Sequence, residues 1–154
     1  KRSGCICFRR KFRRGSGWRT DDCRTYPWNQ APAAGTIIPT ETGISLLIDC
    51  GANVDARPEH LLQFAKMGSI YMENVVGIKN PRVAIVNIGA EEEKGNALVK
   101  ETFPLLKECE DINFVGSIEA REIPHGGADV IVCEAFVGNV ILKLYEVSVQ
   151  HWSV

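Results

Sequence analysis

The chain has no apolar run approaching the ~20 residues that a membrane-spanning helix needs. No apolar h-region follows its basic start, so no signal peptide is expected. It lacks G-x-G-x-x-G, the Gly-Lys-Ser/Thr of a Walker A loop and G-x-S-x-G. That removes the usual sequence argument for a dinucleotide enzyme, a P-loop NTPase or an α/β-hydrolase. Histidines number only three, and no His/Cys/Asp spacing suggests a metal site. No metal and no cofactor are therefore expected. The six cysteines form no disulfide framework. Cys50, Cys109 and Cys133 lie in or beside apolar segments, as small buried hydrophobes do, which suits a reducing cytoplasm. There is no internal repeat.

Net charge is also nearly absent, at −1, but the average hides an asymmetry. Residues 1–34 hold nine Lys and Arg against Asp21 and Asp22. The rest holds nine basic and 17 acidic residues. The length is that of one ordinary domain, enough to bury a core.

What is present, from Gly43 onward, is alternation. Ile44–Asp49 reads as a buried strand closed by Cys50–Asn53. Pro58–Val76 reads as a helix, with Pro58 in the first turn and Leu61, Leu62, Ala65, Met72, Val75 and Val76 on one face. Arg82–Gly89 is a second strand, apolar on both faces as in a covered parallel sheet. A second helix is expected within Glu91–Glu110, started or kinked by Pro104. Ile112–Gly116 is a short third strand, Glu119–His125 a loop, and Asp129–Cys133 a fourth strand, followed by a helix from about Val137. Such spacing implies βαβ units: an α/β fold, with a mainly parallel sheet and helices on both faces.

Ligands of such folds sit outside the carboxyl ends of the strands, so the corners carry the candidates. Asp49–Asp55 offers carboxylates and the Asn53 amide to a polar substrate, or is a turn held by Asx hydrogen bonds. Asn87–Asn96 superficially resembles a phosphate loop around Lys94 and Gly95. Its Glu91–Glu93 triplet would repel phosphate, and acidic residues early in a helix are ordinary dipole complements. Arg121 can hold phosphate bidentately, or belong to a salt-bridged loop with Glu119 and Glu122. Glu134, Gly138, Asn139 and Lys143 mark the last corner: Gly138 allows close backbone approach, and Asn139 caps the helix or donates to a substrate oxygen. His60, in a first helical turn, is a surface or capping residue or else a base.

Together these strings resemble bacterial phosphate acyltransferase, the acyl-acyl-carrier-protein:phosphate transacylase of phospholipid synthesis. The resemblance covers about Gly35–Glu146. It is carried by Gly35–Thr40, Leu47–Asp55, Pro58–Ala65, Met67–Tyr71, Gly77–Val83, Asn87–Gly89, Lys94–Asn96, Ile112–Gly116, Phe136–Val140 and Leu142–Lys143. It implies a fold similar to isocitrate and isopropylmalate dehydrogenases, here incomplete. It also implies attack by inorganic phosphate on an acyl-carrier-protein thioester, giving acyl phosphate, and hence a place in fatty acid and phospholipid metabolism. It further implies, for an intact member, a cytoplasmic homodimer with peripheral membrane association through a region expected to be missing here. Such a reaction needs cationic or N–H donors for phosphate, donors for the oxyanion, and at most one base. On that logic Lys94, Arg121 and Lys143 hold phosphate, and Asn53 and Asn139 position oxygens. Gly95, Glu134 and Gly138 line the substrate, and His60 or Asp55 is the base. The chain departs from the family in having Glu134-Ala135 for Asp-Gly, and Ala120 for Gly. Ala135 adds a Cβ at a corner suited to positive φ.

The ends read differently. All three tryptophans lie outside the resemblance. Read in a shifted frame with free choice of synonymous codons, residues 1–32 yield a glycine-rich string containing SAGNSGA. One restored base after the Glu146 codon yields GVSTALER from the tail. Residues 1–34 and 147–154 are thus expected to be out-of-frame translation flanking a partial acyltransferase domain, 35–146. The first segment is expected to be poorly ordered, and the fragment inactive. The alternative is a nucleic-acid-binding module, its Arg9–Arg14 arm interleaved with Phe8, Phe12 and Trp18, although under the first reading no nucleic acid is expected. A nicotinamide dehydrogenase of the same fold has no supporting motif.

Overall fold

The computed structural model describes residues 4–8, 23–26, 33–89, 91 and 93–151. Seven strands form one sheet: β1 (Gly4–Phe8), β2 (Cys23–Tyr26), β3 (Ala33–Thr40), β4 (Gly43–Ile48), β5 (Arg82–Val86), β6 (Asn113–Ile118) and β7 (Val130–Val132). Their order is β2-β1-β3-β4-β7-β5-β6. The pairs β4–β7, β7–β5 and β5–β6 are parallel. The α/β class and the mainly parallel sheet are as the alternation implies.

Two pairs are antiparallel: β1 with β2, and β3 with β4. The second is a hairpin around Glu41-Thr42, with Thr40 opposite Gly43. The sequence pattern does not predict β3 as a strand. It begins at Ala33, ahead of the boundary expected at residue 35. The Arg-rich stretch 9–22 and the segment 27–32 lie outside the described residues.

The core has two layers because successive strand residues point to opposite faces. Leu46, Ile48, Val83, Ile85, Val130 and Val132 meet α1 (Pro58–Tyr71) and α2 (Ala97–Lys107) on one face. Leu47, Ala84, Ile131 and Ile118 meet α3 (Ala135–His151) on the other. Helices therefore cover both faces. Phe64 and Met67 anchor α1 and are essentially inaccessible. Gly68 brings α1 against β7, since a Cβ there would stand 2.5 Å from Val130 Cγ1.

Several boundaries move, each for a local reason. The first helix ends at Tyr71 and widens into a π-helical turn, Met72–Val76, which closes on Gly77 at φ 88°. Gly116, expected to end the third strand, sits at φ 106° beside a bulge, and β6 continues to Ile118. Pro104 does not start α2; it lies inside the helix, which runs on to Lys107. The start of α2 is Asn96, whose side chain accepts the Val99 N–H at 2.9 Å. Glu91 and Glu93 consequently lie in the preceding loop, not in the first helical turn, so they do not complement that helix's dipole.

Candidate functional site

The parallel strands β4, β5, β6 and β7 end on the same edge of the sheet, which gathers the corners 49–55, 87–96, 119–122 and 133–139. A cleft of about 450 Å³ opens at this edge. Ala34, Gly35 and Thr36 of β3 line one side. Cys50, Gly51, Ala52 and Val54 form a second wall, and Ala135, Phe136, Asn139 and Leu142 of α3 a third.

One buried carboxylate holds these walls together. Asp49 is fully buried. Its Oδ1 accepts the N–H groups of Ala34 (3.0 Å), Gly51 (3.2 Å) and Ala52 (3.0 Å). Its Oδ2 accepts both the backbone N–H and the Nδ2 of Asn53, each at 2.8 Å. The corner is thus an Asx-type turn. The Asn53 amide hydrogen on this bond is committed to Asp49. Gly138 lies so close to the Asp49 carbonyl oxygen that any Cβ there would collide with it. The expectation of close backbone approach at Gly138 thereby acquires a specific partner.

The corner after β5 is built in the same way. Asn87, 7 % exposed, donates to the Lys94 carbonyl (3.0 Å) and to Ser117 Oγ (3.3 Å), while its Oδ1 accepts the Ile88 N–H at 2.8 Å. Gly95 (φ 107°) packs on that amide, with room for no Cβ. Lys94 folds across Gly89 and pairs with Glu91. The hydrogen bond that Lys94 donates to Glu91 raises the Lys94 pKa above its ordinary value, and the charge of Glu119 on the neighbouring corner adds a little. Arg121, in a 3₁₀ turn (Ala120–Glu122), makes a two-pronged contact to Glu119: Nε–Oε2 at 3.1 Å and Nη2–Oε1 at 3.2 Å. Lys94 and Arg121 are thus each matched by a carboxylate.

At the last corner the helix begins at Ala135, two residues before the expected start. Glu134 is its cap: Oε2 accepts the Phe136 N–H at 2.8 Å and Oε1 the Val137 N–H at 3.1 Å. Asn139, a turn further in, caps nothing and lines the cleft. Ala135 is the first helical residue and is not at positive φ; its Cβ fits, and the strain expected from the Asp-Gly to Glu-Ala departure does not arise. Lys143 lies eight residues along α3, about 12 Å from its start at 1.5 Å per residue. It pairs with Glu146 at 2.9 Å. His60 is the third residue of α1 and closes its capping box, its Nδ1 accepting the N–H of the cap residue Arg57 at 3.3 Å. Asp55 is exposed in the loop before that helix.

Burial, with the nearby Cys50 thiol and the Asp49 carboxylate as lesser causes, pushes the Cys133 thiol well above its ordinary pKa. Cys133 Sγ contacts the Asp49 carbonyl at 3.5 Å. Among the described residues no cluster of His, Cys, Asp or Glu is arranged to hold a metal ion. Nor is any helix among them long and apolar enough to cross a membrane.

A doubly covered α/β sheet with a cleft at its carboxyl edge, bounded by stapled corners, defines a class of ligand-binding α/β proteins. The fatty acid synthesis protein family model matches residues 23–153, and the chain belongs to that family. The match extends into both segments that the sequence reading sets apart. The chain is 60 % identical over 115 residues to a phosphate acyltransferase of Alkaliphilus oremlandii. It is 58 % identical over 116 residues to one of Desulfitobacterium hafniense, and 53 % over 117 residues to one of Clostridium perfringens. These alignments cover 75–76 % of the chain and 34 % of each relative. The chain thus spans about a third of the length of the curated relatives it matches.

Proposed function

We propose that this chain carries part of the active cleft of a phosphate acyltransferase, which transfers a fatty acyl group from an acyl-carrier-protein thioester to inorganic phosphate. The observation that carries the reading is identity above one half to proteins named phosphate acyltransferase, over a segment that here builds a cleft at the sheet's carboxyl edge.

The chemistry follows from few groups. A phosphate oxygen attacks the thioester carbonyl, the tetrahedral oxyanion collapses, and the carrier thiol leaves with a proton. Lys94 and Arg121 hold phosphate in line, exchanging part of their contact with Glu91 and Glu119 for it. Lys143 is a third, more remote cation. The Asn139 amide donates to the developing oxyanion, and Asn53 keeps the wall in place through Asp49. Gly95 and Gly138 let backbone approach the ligand. Asp55 or His60 is the base; for His60 this means giving up the Arg57 N–H. Glu134 acts through the start of α3, whose first free N–H groups it occupies, rather than through direct contact with phosphate.

The intact protein is a cytoplasmic homodimer with peripheral membrane contact, and the isolated chain does not turn over. The test is a chimera in which residues 35–146 replace the matching segment of the full-length Alkaliphilus oremlandii relative. Acyl phosphate is trapped as hydroxamate. Phosphate-dependent product, reduced by Lys94→Ala and Arg121→Ala through a raised phosphate KM, is the expected result. A folded chimera that forms none would overturn the reading.

A further inference from the structure

We propose that Asn87 is a positioning residue: through one buried amide it fixes Lys94 against β6 and so sets the spacing between Lys94 and Arg121. The inference rests on the reading of those two cations as phosphate holders, and adds to it the device that keeps them in register.

Asn87 is the first residue after β5 and is buried. Its backbone N–H donates to the Ile118 carbonyl at 3.0 Å, and its Nδ2 to Ser117 Oγ at 3.3 Å. Ser117 and Ile118 end β6, immediately before Glu119, whose carboxylate holds Arg121. The same Nδ2 donates to the Lys94 carbonyl at 3.0 Å. One residue thus ties the corner that carries Lys94 to the strand that leads to Arg121.

The residue type matters. This position needs an acceptor for the Ile88 N–H and donors toward both the Lys94 carbonyl and Ser117. A carboxamide supplies both from one group, whereas a carboxylate would turn an oxygen on the Lys94 carbonyl. Gly95 closes over the amide: a Cβ there would stand 2.5 Å from Asn87 Oδ1, so the amide has no room to turn. The cationic side chains themselves are exposed, Lys94 by 52 % and Arg121 by 78 %. What the fold can preset is therefore where their backbones stand, and the Asn87 amide reaches the Lys94 backbone directly. The side chain of Lys94 stays able to exchange Glu91 for an incoming anion.

The experiment measures kcat and the KM for inorganic phosphate in the chimera carrying Asn87→Ala, Ser117→Ala or Ser117→Thr. Without the amide, the two cations stand correctly spaced for only part of the time, which weakens phosphate binding and leaves the step after it alone. Asn87→Ala should therefore raise the phosphate KM about tenfold, with kcat at saturating phosphate unchanged. In a Lys94→Ala background the same substitution should add almost nothing, because the group it positions is gone. Ser117→Ala cuts only the tie to β6 and tests the proposal even where Asn87→Ala does not fold. It should raise the phosphate KM about threefold, and Ser117→Thr, which keeps the hydroxyl, should restore it. A phosphate KM unmoved by Asn87→Ala or by Ser117→Ala would overturn the proposal. So would an equal rise with and without Lys94, or a fall in kcat alone. If Lys94→Ala and Arg121→Ala raise the phosphate KM while Asn87→Ala does not, the phosphate reading stands and the positioning role falls. If neither cation affects it, both fall.

Discussion

The Asp49 carboxylate takes both the backbone and the side-chain N–H of Asn53, each at 2.8 Å, from a position with no access to solvent. This pair makes the 50–53 corner a fixed wall rather than a loose loop. Three further backbone N–H groups converge on the same carboxylate, one of them from β3.

The first prediction concerns that carboxylate. In Asp49→Asn, an NH₂ would face N–H donors that now have an acceptor. Charge-assisted hydrogen bonds of this kind are worth about 1.5–3 kcal/mol each, and an unsatisfied buried donor costs a further 1–3. Partial relaxation should leave a net loss of about 3 kcal/mol, seen as a lowered urea midpoint. Amide exchange should rise first at Gly51, Ala52 and Asn53. An unchanged midpoint would show that the corner is held by something else.

Glu134→Ala removes the cap of α3. About 1 kcal/mol of stability should go with it, and exchange of the Phe136 and Val137 amides should rise in the native state. Glu134→Gln, which keeps one carbonyl oxygen, should lose less. Equal losses from the two variants would mean that the carboxylate is not the acceptor that matters.

Gly138→Ala and Gly68→Ala test two close approaches of different kinds. At Gly138 the obstacle is the backbone carbonyl of Asp49; at Gly68 it is the tip of the Val130 side chain. Backbone yields less readily. Gly138→Ala should therefore be the costlier, at about 2–3 kcal/mol, and should displace the start of α3, while Gly68→Ala should cost about 1–2. The reverse order in thermal melts would contradict the packing at Gly138.

Cys133 gives a pH dependence. Its folded-state pKa is raised by burial, so the unfolded chain gives up the thiol proton first as pH rises. Stability from this group is therefore full below the ordinary thiol range and declines above it. Cys133→Ala should remove that alkaline decline at some cost in packing. In native labelling with iodoacetamide read by peptide mass, half-buried Cys109 should react before buried Cys133.

A last prediction concerns the ends. Resequencing the coding DNA from upstream through the stop codon should reveal compensating indels near the codons for Lys1, Pro32 and Glu146, with acyltransferase-like sequence in the other frame. A clean single frame would make the basic arm genuine, and nucleic-acid binding with a steep salt dependence would become its test.

Local pattern carried most of the fold. Leu46, Leu47 and Ile48 are buried on both faces, as a continuous apolar run implies for a central strand. Leu61 and Ala65 face the core at helical spacing. Gly77 ends its helix in the left-handed region. These features depend on neighbours in the chain, which one sequence displays. Gly116 misled for the same reason: a glycine reads as a stop, and whether it is a stop or a bulge depends on the partner strand.

The candidate site was legible as a set of corners, because strand ends and glycines mark them. Its contents were not. Glu134, read as a ligand group, caps α3; Asn139, read as a cap or as a donor to a substrate oxygen, makes no cap and lines the cleft. Neither role is decided by type and spacing, since both depend on where α3 begins, two residues earlier than its periodicity suggests.

By itself, then, the sequence determined the class, the number of βα corners and the family, because alternation and short motifs are properties of contiguous residues. Tertiary structure alone decided that β7 lies between β4 and β5, and that β3 folds back on β4. It also brought Ala34, the 50–54 loop and α3 around one cleft. Those outcomes join residues as far apart as 34 and 142, and hydrogen-bond registry and burial select among such pairings only when the whole sheet is assembled.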